Sequence, residues 1–211
     1  MKLQHATSGF WYVTYCGERS RKVLEPQLGK RDLYEELSGS PIGKNWLPPK
    51  YQIVGKGLWP DWMAYLVPLL SDRALTCLQD LIAPHCELLP WIKEPRHAYT
   101  LINITTRIPV QNWSCQKSSK YGDVYAAADV ITLHGVAIPD LFCLKGYDGK
   151  FFVSDAVASR SVEKQLKGAV FVDPSIPESH LPFIPFNFGK RGTGFILREN
   201  DLGADPRHAV H

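Results

Sequence analysis

The stretch at residues 69–74 (LLSDRA) decides the fold, because residues 152–157 (FVSDAV) repeat its pattern. Each copy places an apolar pair before Ser-Asp, and a helical pattern follows. A serine hydroxyl at the start of a helix accepts hydrogen bonds from the free N–H groups of the first turn, and an aspartate there complements the helix dipole. The pattern predicts two N-capped helices. It favours a strand–helix–strand module used twice, while two ordinary helix caps would leave the same pattern.

The remaining periodicities outline the other elements. The first helix is expected to stop at Pro84, and the second to run to about Lys167 with Gly168 as its C-terminal stop. Alternating, β-branched or aromatic runs predict strands at residues 10–16, 88–92, 98–108, 130–133, 141–144, 151–153 and 169–172. Residues 147–150 (YDGK) are expected to form a turn. Together these elements predict an α+β fold with mixed or antiparallel sheets.

The 211 residues, of which 45% are hydrophobic, suit a single domain with a packed core. Residues 1–57 are rich in glycine, proline and charge and are expected to form an irregular lead-in with one short helix near residues 31–37. Residues 58–174 hold the regular elements of the core. Residues 175–211 form a proline-rich tail, in which GKRGTG at residues 189–194 predicts a hairpin turn.

Charge and cysteine usage narrow the classes of partner and the compartment. A formal net charge of +3 without a basic stripe argues against a nucleic-acid partner. The five cysteines are odd in number and form no C-x-x-C pair, so buried reduced thiols in a cytoplasmic protein are expected. No apolar stretch approaches the roughly 20 residues of a membrane helix. Residues 9–16 lack the small side chain that signal processing needs before Cys16.

No pattern in the sequence predicts an enzyme, a metal site or a cofactor. His85-Cys86 and the pair His208 and His211 lack metal-ligand spacing, unless the tail is helical. There is no G-x-S-x-G elbow, and the GKRGTG stretch departs from P-loop spacing. Asp129 and Asp140 stand at the ends of strands, where single carboxylates are usually solvated.

A polar loop predicted at residues 111–123 (QNWSCQKSSKYGD) is the candidate binding site. It combines the aromatic residues Trp113 and Tyr121 with the flexible cations Lys117 and Lys120. Aromatic anchors with charged neighbours are typical of protein interfaces. The alternative is that Trp113 folds back onto the core and the loop only connects two strands.

The order of motifs between about residues 59 and 174 resembles a family of bacterial polymorphic-toxin immunity proteins, the immunity protein eleven family. The motifs are Pro-Asp at 60–61, LLSD at 69–72, LLP at 88–90, YTLIN at 99–103, LFCL at 141–144 and FFVSD at 151–155. The resemblance implies a small cytosolic antitoxin that binds a cognate protein toxin and neutralises it by occlusion, without catalytic residues. Two alternatives stay open: a binding or scaffold module with an unrelated partner, and a small metal-dependent enzyme or nucleic-acid-binding domain.

Overall fold

A computed structural model of the chain describes residues 8–15, 22–27, 33–37, 39–55, 57, 59–64, 68–94, 97–117, 129–174 and 195–197. Within these ranges the strands are β1 (Phe10–Tyr15), β2 (Val23–Gln27), β3 (Lys50–Val54), β4 (Trp62–Ala64), β5 (Pro68–Ser71), β6 (Cys86–Glu94), β7 (His97–Ile104), β8 (Arg107–Ile108), β9 (Trp113–Lys117), β10 (Asp129–Leu133), β11 (Leu141–Leu144), β12 (Tyr147–Ser154), β13 (Ala169–Val172) and β14 (Phe195–Leu197). The α-helices are α1 (Leu33–Glu36), α2 (Asp72–Ile82) and α3 (Asp155–Glu163). The predicted α+β class is confirmed.

Two sheets carry the architecture. Sheet one has the strand order β4-β5-β7-β6, with every neighbouring pair antiparallel. Sheet two has the order β14-β13-β1-β12-β11-β8. Its four central strands are antiparallel, while β14 and β8 add to its two edges in parallel. Two separate strand pairs, β2 with β3 and β9 with β10, complete the described strands.

The two sheets repeat one module and exchange one strand. The hairpin β4–β5 leads into α2 and then β6, and the hairpin β11–β12 leads into α3 and then β13. In each sheet a further strand separates the strand before the helix from the strand after it. That strand is β7 in sheet one and β1 in sheet two, so each half of the chain begins with a strand that completes the sheet of the other half. The module used twice is therefore confirmed, and it is larger than the sequence pattern predicted.

Both predicted N-caps are present. The Ser71 hydroxyl accepts a hydrogen bond from the Ala74 N–H at 3.1 Å, and the Ser154 hydroxyl accepts one from the Val157 N–H at 3.4 Å. Each serine satisfies an N–H group that the first helical turn leaves without a partner within the helix. Because each serine is also the last residue of its strand, the cap marks the point where the chain changes from strand to helix.

Apolar side chains form three clusters. The main core fills the space between the inner faces of both sheets and the two long helices, with Trp11, Trp62, Leu78, Val157 and Phe171 among its fully buried members. A second cluster lies on the outer face of sheet one, under β2, α1 and the start of β3. A third lies on the outer face of sheet two, under β9 and β10. We call the described residues between 22 and 59 cover one, and the paired strands β9 and β10 cover two.

The end of α3 differs from the prediction. The helix stops at Glu163, four residues before Lys167, because Gln165 adopts a left-handed conformation with φ of 52°. The Leu166 N–H then bonds the Ser161 carbonyl at 2.9 Å, a closing contact typical of helix C-termini. Gly168 is needed for another reason, since a Cβ atom there would lie 2.0 Å from the Trp62 carbonyl oxygen.

Three other predictions need correction. Residues 113–117 of the expected loop form β9, because they pair in register with β10 and Trp113 packs on the third cluster. The turn expected at residues 147–150 lies earlier, at residues 145–146, and 147–150 already belong to β12. The lead-in contains β2 and β3, paired in register from Val23 opposite Val54. The GKRGTG turn at residues 189–194 lies outside the described residues.

Candidate protein-binding surface

The hairpin β9–β10 carries the described part of the predicted binding site. Its register places Trp113 opposite Leu133 at the base and Lys117 opposite Asp129 at the far end. Lys117 is thus the last residue of β9 rather than a loop residue. Lys120 and Tyr121 lie outside the described residues. Partner contact by Trp113, Lys117, Lys120 and Tyr121 stays a prediction.

Trp113 anchors the hairpin to sheet two. Its indole packs on the third cluster and meets the Tyr147 ring edge-on, with ring centroids 5.7 Å apart. The side chain is half-buried, and its ring nitrogen is buried without a hydrogen-bond acceptor. Trp113 therefore folds back onto the core, which was the structural alternative to an exposed anchor. An interface role would require a partner to contact only the remaining exposed part of the ring.

The outer face of the hairpin is polar and holds one pair that sequence reasoning missed. The Ser114 hydroxyl lies 2.8 Å from Nε2 of His134, twenty residues away, because the strand register brings them together. A serine beside an imidazole could serve as a nucleophile and its base. Such a pair acts in a site that excludes water and offers donors to an oxyanion. Both side chains are exposed, so we assign this contact to closing the hairpin.

Asp61 and Asp140 are equivalent structural groups in the two modules. Asp61 accepts from the Ser71 N–H through its carbonyl and from the Ser71 hydroxyl through Oδ1, both at 2.9 Å. Asp140 accepts from the Ser154 N–H at 3.2 Å, and its carboxylate accepts from the Ser154 hydroxyl. Each aspartate therefore ties the start of its hairpin to the helix cap. This contact explains Asp140 without a catalytic role.

Other buried polar groups are also engaged within the fold. The Tyr99 hydroxyl donates to the Pro60 carbonyl at 2.6 Å, and burial, with the negative charge of Asp61, raises the pKa of Tyr99. Burial raises the pKa of the Cys86 thiol to about 12, so it stays protonated and donates to the Ile82 carbonyl at 3.2 Å. A protonated thiol is a poor nucleophile and metal ligand. Among the described residues, no group of three His, Cys, Asp or Glu side chains could hold a metal ion.

A carboxylate fastens cover one to the edge of sheet one. Glu87 on β6 accepts from the N–H groups of Ile42 at 2.8 Å and Gly43 at 2.6 Å, and from the Asn103 amide at 3.2 Å. Burial raises the pKa of Glu87, but the backbone donors from Ile42 and Gly43 and the Asn103 amide outweigh it, and the net pKa is lowered. Trp46 adds a bond from its ring N–H to the Pro90 carbonyl at 2.8 Å. Cover one is thus fixed in place and shields the β6 edge.

The exposed surface of cover one is apolar and basic. Leu47 is 72% exposed, Ile53 49% and Val54 40%, while Lys44 and Lys50 are exposed beside them in sequence. An open hollow of about 410 Å³, lined by Glu36, Ile42, Asn45 and Leu47, adjoins this surface. Exposed aliphatic side chains concentrated in one short segment suggest a binding surface more than single scattered ones do. The sequence reading, which treated this segment as irregular, did not single it out.

Neither a protein-family model nor a curated protein sequence matches this chain. Of the helices within the described ranges, none has the length and apolar character needed to cross a bilayer. The likeness to immunity proteins therefore depends on the sequence motifs, and the function is a proposal.

Proposed function

We propose that this chain is a cytoplasmic immunity protein that binds a cognate bacterial toxin and neutralises it by occlusion. The observation that carries the proposal is the order of motifs between residues 59 and 174. These motifs coincide with the parts that organise the fold: the Pro-Asp and LLSD motifs contribute Asp61 and Ser71, and FFVSD contributes Ser154. The resemblance therefore involves positions that organise the fold of this chain.

The physical properties of the chain suit this role. Occlusion requires a preorganised surface with slow dissociation and needs no chemistry. Cover one is held by the Glu87 carboxylate and cover two by the packing of Trp113 against Tyr147, so both present rigid outer surfaces. Three polar groups that could be considered for catalysis form hydrogen bonds within the fold instead. They are Asp61, Asp140 and Cys86.

A second candidate function is a binding or scaffold module with an unrelated protein partner. The exposed aliphatic side chains of cover one favour protein binding in general and do not identify the partner. The identity of the partner separates the two functions. An antitoxin must suppress the activity of the protein that it binds, whereas a scaffold binds its partner and leaves that activity intact.

The test is coexpression with the product of the adjacent reading frame, followed by purification and a growth assay. We expect the two proteins to copurify and the full-length chain to restore growth of cells that produce the toxin. An unrelated toxin of the same activity serves as the control and should not be neutralised. Copurification without rescue would support the scaffold function. Neither copurification nor rescue, with a folded chain, would contradict both.

The predicted hairpin residues have a separate test. Lys117→Ala with Lys120→Ala should slow association with the toxin and flatten its dependence on salt, because exposed cations act mainly by steering the encounter. Tyr121→Ala should speed dissociation if the ring is an interface anchor. Trp113→Ala should weaken binding and also lower stability, since its ring packs on the core. Unchanged binding in all of these variants would exclude this hairpin from the interface.

A further inference from the structure

Among the described strands, the outward edge of β3 is accessible at Ile53. The only described partner of β3 is β2, which lies on its other side. The Leu24 N–H on β2 points away from β3, because it donates to the Met63 sulfur at 3.1 Å. Leu24 and Ile53, which face each other, are therefore a non-hydrogen-bonded pair, and the N–H and carbonyl of Ile53 also point away from β2. Such an edge can pair with a strand from another chain.

The side chains along this edge are unusual for solvent-facing strand positions. Four of the five residues of β3 are exposed, including Ile53 and Val54, and Leu47 lies shortly before the strand. The other exposed large hydrophobic side chains of the described residues, Val110 and Ile138, stand singly in the sequence. An exposed edge that carries aliphatic side chains promotes aggregation of an isolated protein. In a protein that has a partner, the same edge serves as a binding surface.

The charged residues of the segment that contains this edge are all basic. Residues 38–60 contain Lys44, Lys50 and Lys56 and no aspartate or glutamate. The acid opposite the strand, Glu25 on β2, accepts a hydrogen bond from the Gln52 amide at 2.5 Å. Glu36 lines the adjoining hollow, beyond Leu47. The edge itself thus favours an acidic partner, because complementary charge speeds association and excludes basic competitors.

The equivalent surface of cover two lacks these features. Among the side chains of β9 and β10 that the structure describes, the exposed ones are Ser114, Gln116 and Thr132, none of them a large aliphatic side chain. Both hairpins cover the outer face of one sheet, so packing demands similar inner faces and leaves the outer faces unconstrained. On cover one, Val54 lies on the outer face, while Ile53 lies opposite the buried Leu24 on the inner face and is still 49% exposed. Packing onto sheet one therefore leaves both aliphatic side chains accessible.

We propose that the β3 edge, with Leu47, Ile53, Val54 and the flanking lysines, is the docking surface for the toxin. The surface takes an extended toxin segment as an added strand, one that alternates aliphatic and acidic side chains. Backbone hydrogen bonds supply affinity in this mode of recognition, and side chains supply specificity. The inference rests on the proposed function for the identity of the partner and on the β3 geometry for the surface.

A peptide series tests the surface without the toxin. The probe is a synthetic peptide that alternates valine or isoleucine with aspartate; one control replaces aspartate by lysine, and another methylates alternate backbone nitrogens. Titration calorimetry on the full chain should give an affinity for the acidic peptide at least about tenfold above that for the lysine peptide. Backbone methylation should abolish binding, because it removes the donors of the added strand.

Variants of the full chain test the surface with the toxin. Ile53→Asp should lower toxin affinity by at least about tenfold through faster dissociation, because it places a charge in the apolar part of the surface. The matched control is Ile138→Asp, the same substitution at an exposed isoleucine outside both covers, which should change affinity by less than about twofold. Lys44→Glu with Lys50→Glu should slow association at low salt, and the difference should shrink at high salt. Circular dichroism and thermal unfolding establish that each variant is folded.

The outcomes separate this inference from the proposed function. Normal toxin binding by a folded Ile53→Asp variant would overturn the docking surface and leave the immunity function standing. If the parent chain binds no toxin, the proposed function fails and the peptide series decides alone. Binding of the acidic peptide by the parent but not by Ile53→Asp would then support the surface. Equal binding of both peptides by both chains, or no binding, would overturn it.

Discussion

The two modules share one arrangement of aspartate and capping serine, but the aspartate of the first module makes more hydrogen bonds than that of the second. Asp61 and Asp140 both bind the serine that caps the following helix, yet Asp61 is 7% exposed and Asp140 is half-buried. Asp61 also accepts from the Arg73 guanidinium and from the Lys167 N–H, both at 2.8 Å. Lys167 belongs to the second module, so the aspartate of the first module joins the two halves. The hydrogen bonds of Asp140 to Ser154 lie within its own module.

The joint continues through the backbone around Lys167. Its carbonyl accepts from the N–H groups of Asp61 at 2.7 Å and Trp62 at 2.8 Å. On the surface, Arg160 of α3 reaches both carboxylate oxygens of Asp80 on α2, at 2.5 and 2.6 Å. Exposed ion pairs contribute little to stability. The connection between the halves therefore depends on the buried groups near Asp61, and on the close approach that Gly168 allows.

The covers also differ in how they are held. Cover one is fastened by the Glu87 carboxylate and by the Trp46 bond to Pro90, which are polar contacts at a sheet edge. Cover two is held by apolar packing of Trp113 and the buried Ile131 on sheet two. A polar attachment responds to pH, whereas apolar packing does not. The comparison therefore predicts that acid weakens cover one before cover two.

The largest expected effect on stability comes from adding a side chain where Gly168 contacts Trp62, between the two halves of the chain. Gly168→Ala would place a Cβ atom 2.0 Å from the Trp62 carbonyl oxygen, at a residue with φ of +116°. We expect a loss of about 3 kcal/mol in the free energy of unfolding, measured by urea denaturation. The control is Gly135→Ala, where φ is +63° but the added Cβ meets nothing within 4 Å. That variant should lose only about 1 kcal/mol from backbone strain. Equal losses would mean that the close approach at Gly168 adds nothing.

The second effect separates the two aspartates. Asp61→Ala leaves the Ser71 hydroxyl and the Lys167 N–H without their acceptor in a buried site, and we expect it to cost about 3 kcal/mol. Asp140→Ala removes one side-chain acceptor at a half-buried position and should cost about 1 kcal/mol. Urea denaturation of the two variants side by side is the measurement. Similar costs would contradict the unequal roles of the two groups.

The smallest effect concerns pH. The pKa of Glu87 in the folded chain is below its ordinary value of 4.5. Its contribution to stability is therefore complete above that value and is lost as the pH falls through the lower folded-state pKa. Glu87→Gln should cost about 1 kcal/mol at neutral pH, and the difference from the parent should fade in acid. Glu163→Gln, an exposed surface change, is the control and should show neither effect. A difference that is constant with pH would show that the charge on Glu87 does not hold cover one.

Sequence reasoning succeeded where the cause of structure is local. The Ser-Asp pairs predicted both helix starts, because a cap acts on N–H groups only two or three residues away. The α+β class and most strands followed from periodicity over short windows. The predicted end of α3 was wrong. Glycine is the usual residue at a helix C-terminus, but here Gln165 takes the left-handed conformation instead. The need for Gly168 comes from Trp62, more than a hundred residues earlier.

By itself, the sequence determined the repeated caps, the helices and the apolar strands of this protein. Only the tertiary structure decided that β1 and β7 are exchanged between the two sheets, that Trp113 lies against Tyr147, and that β3 pairs with β2 alone among the described strands. These features depend on which strands pair and which faces are covered. Pairing is set by the sum of many weak contacts between distant residues, and no short stretch of sequence contains that sum.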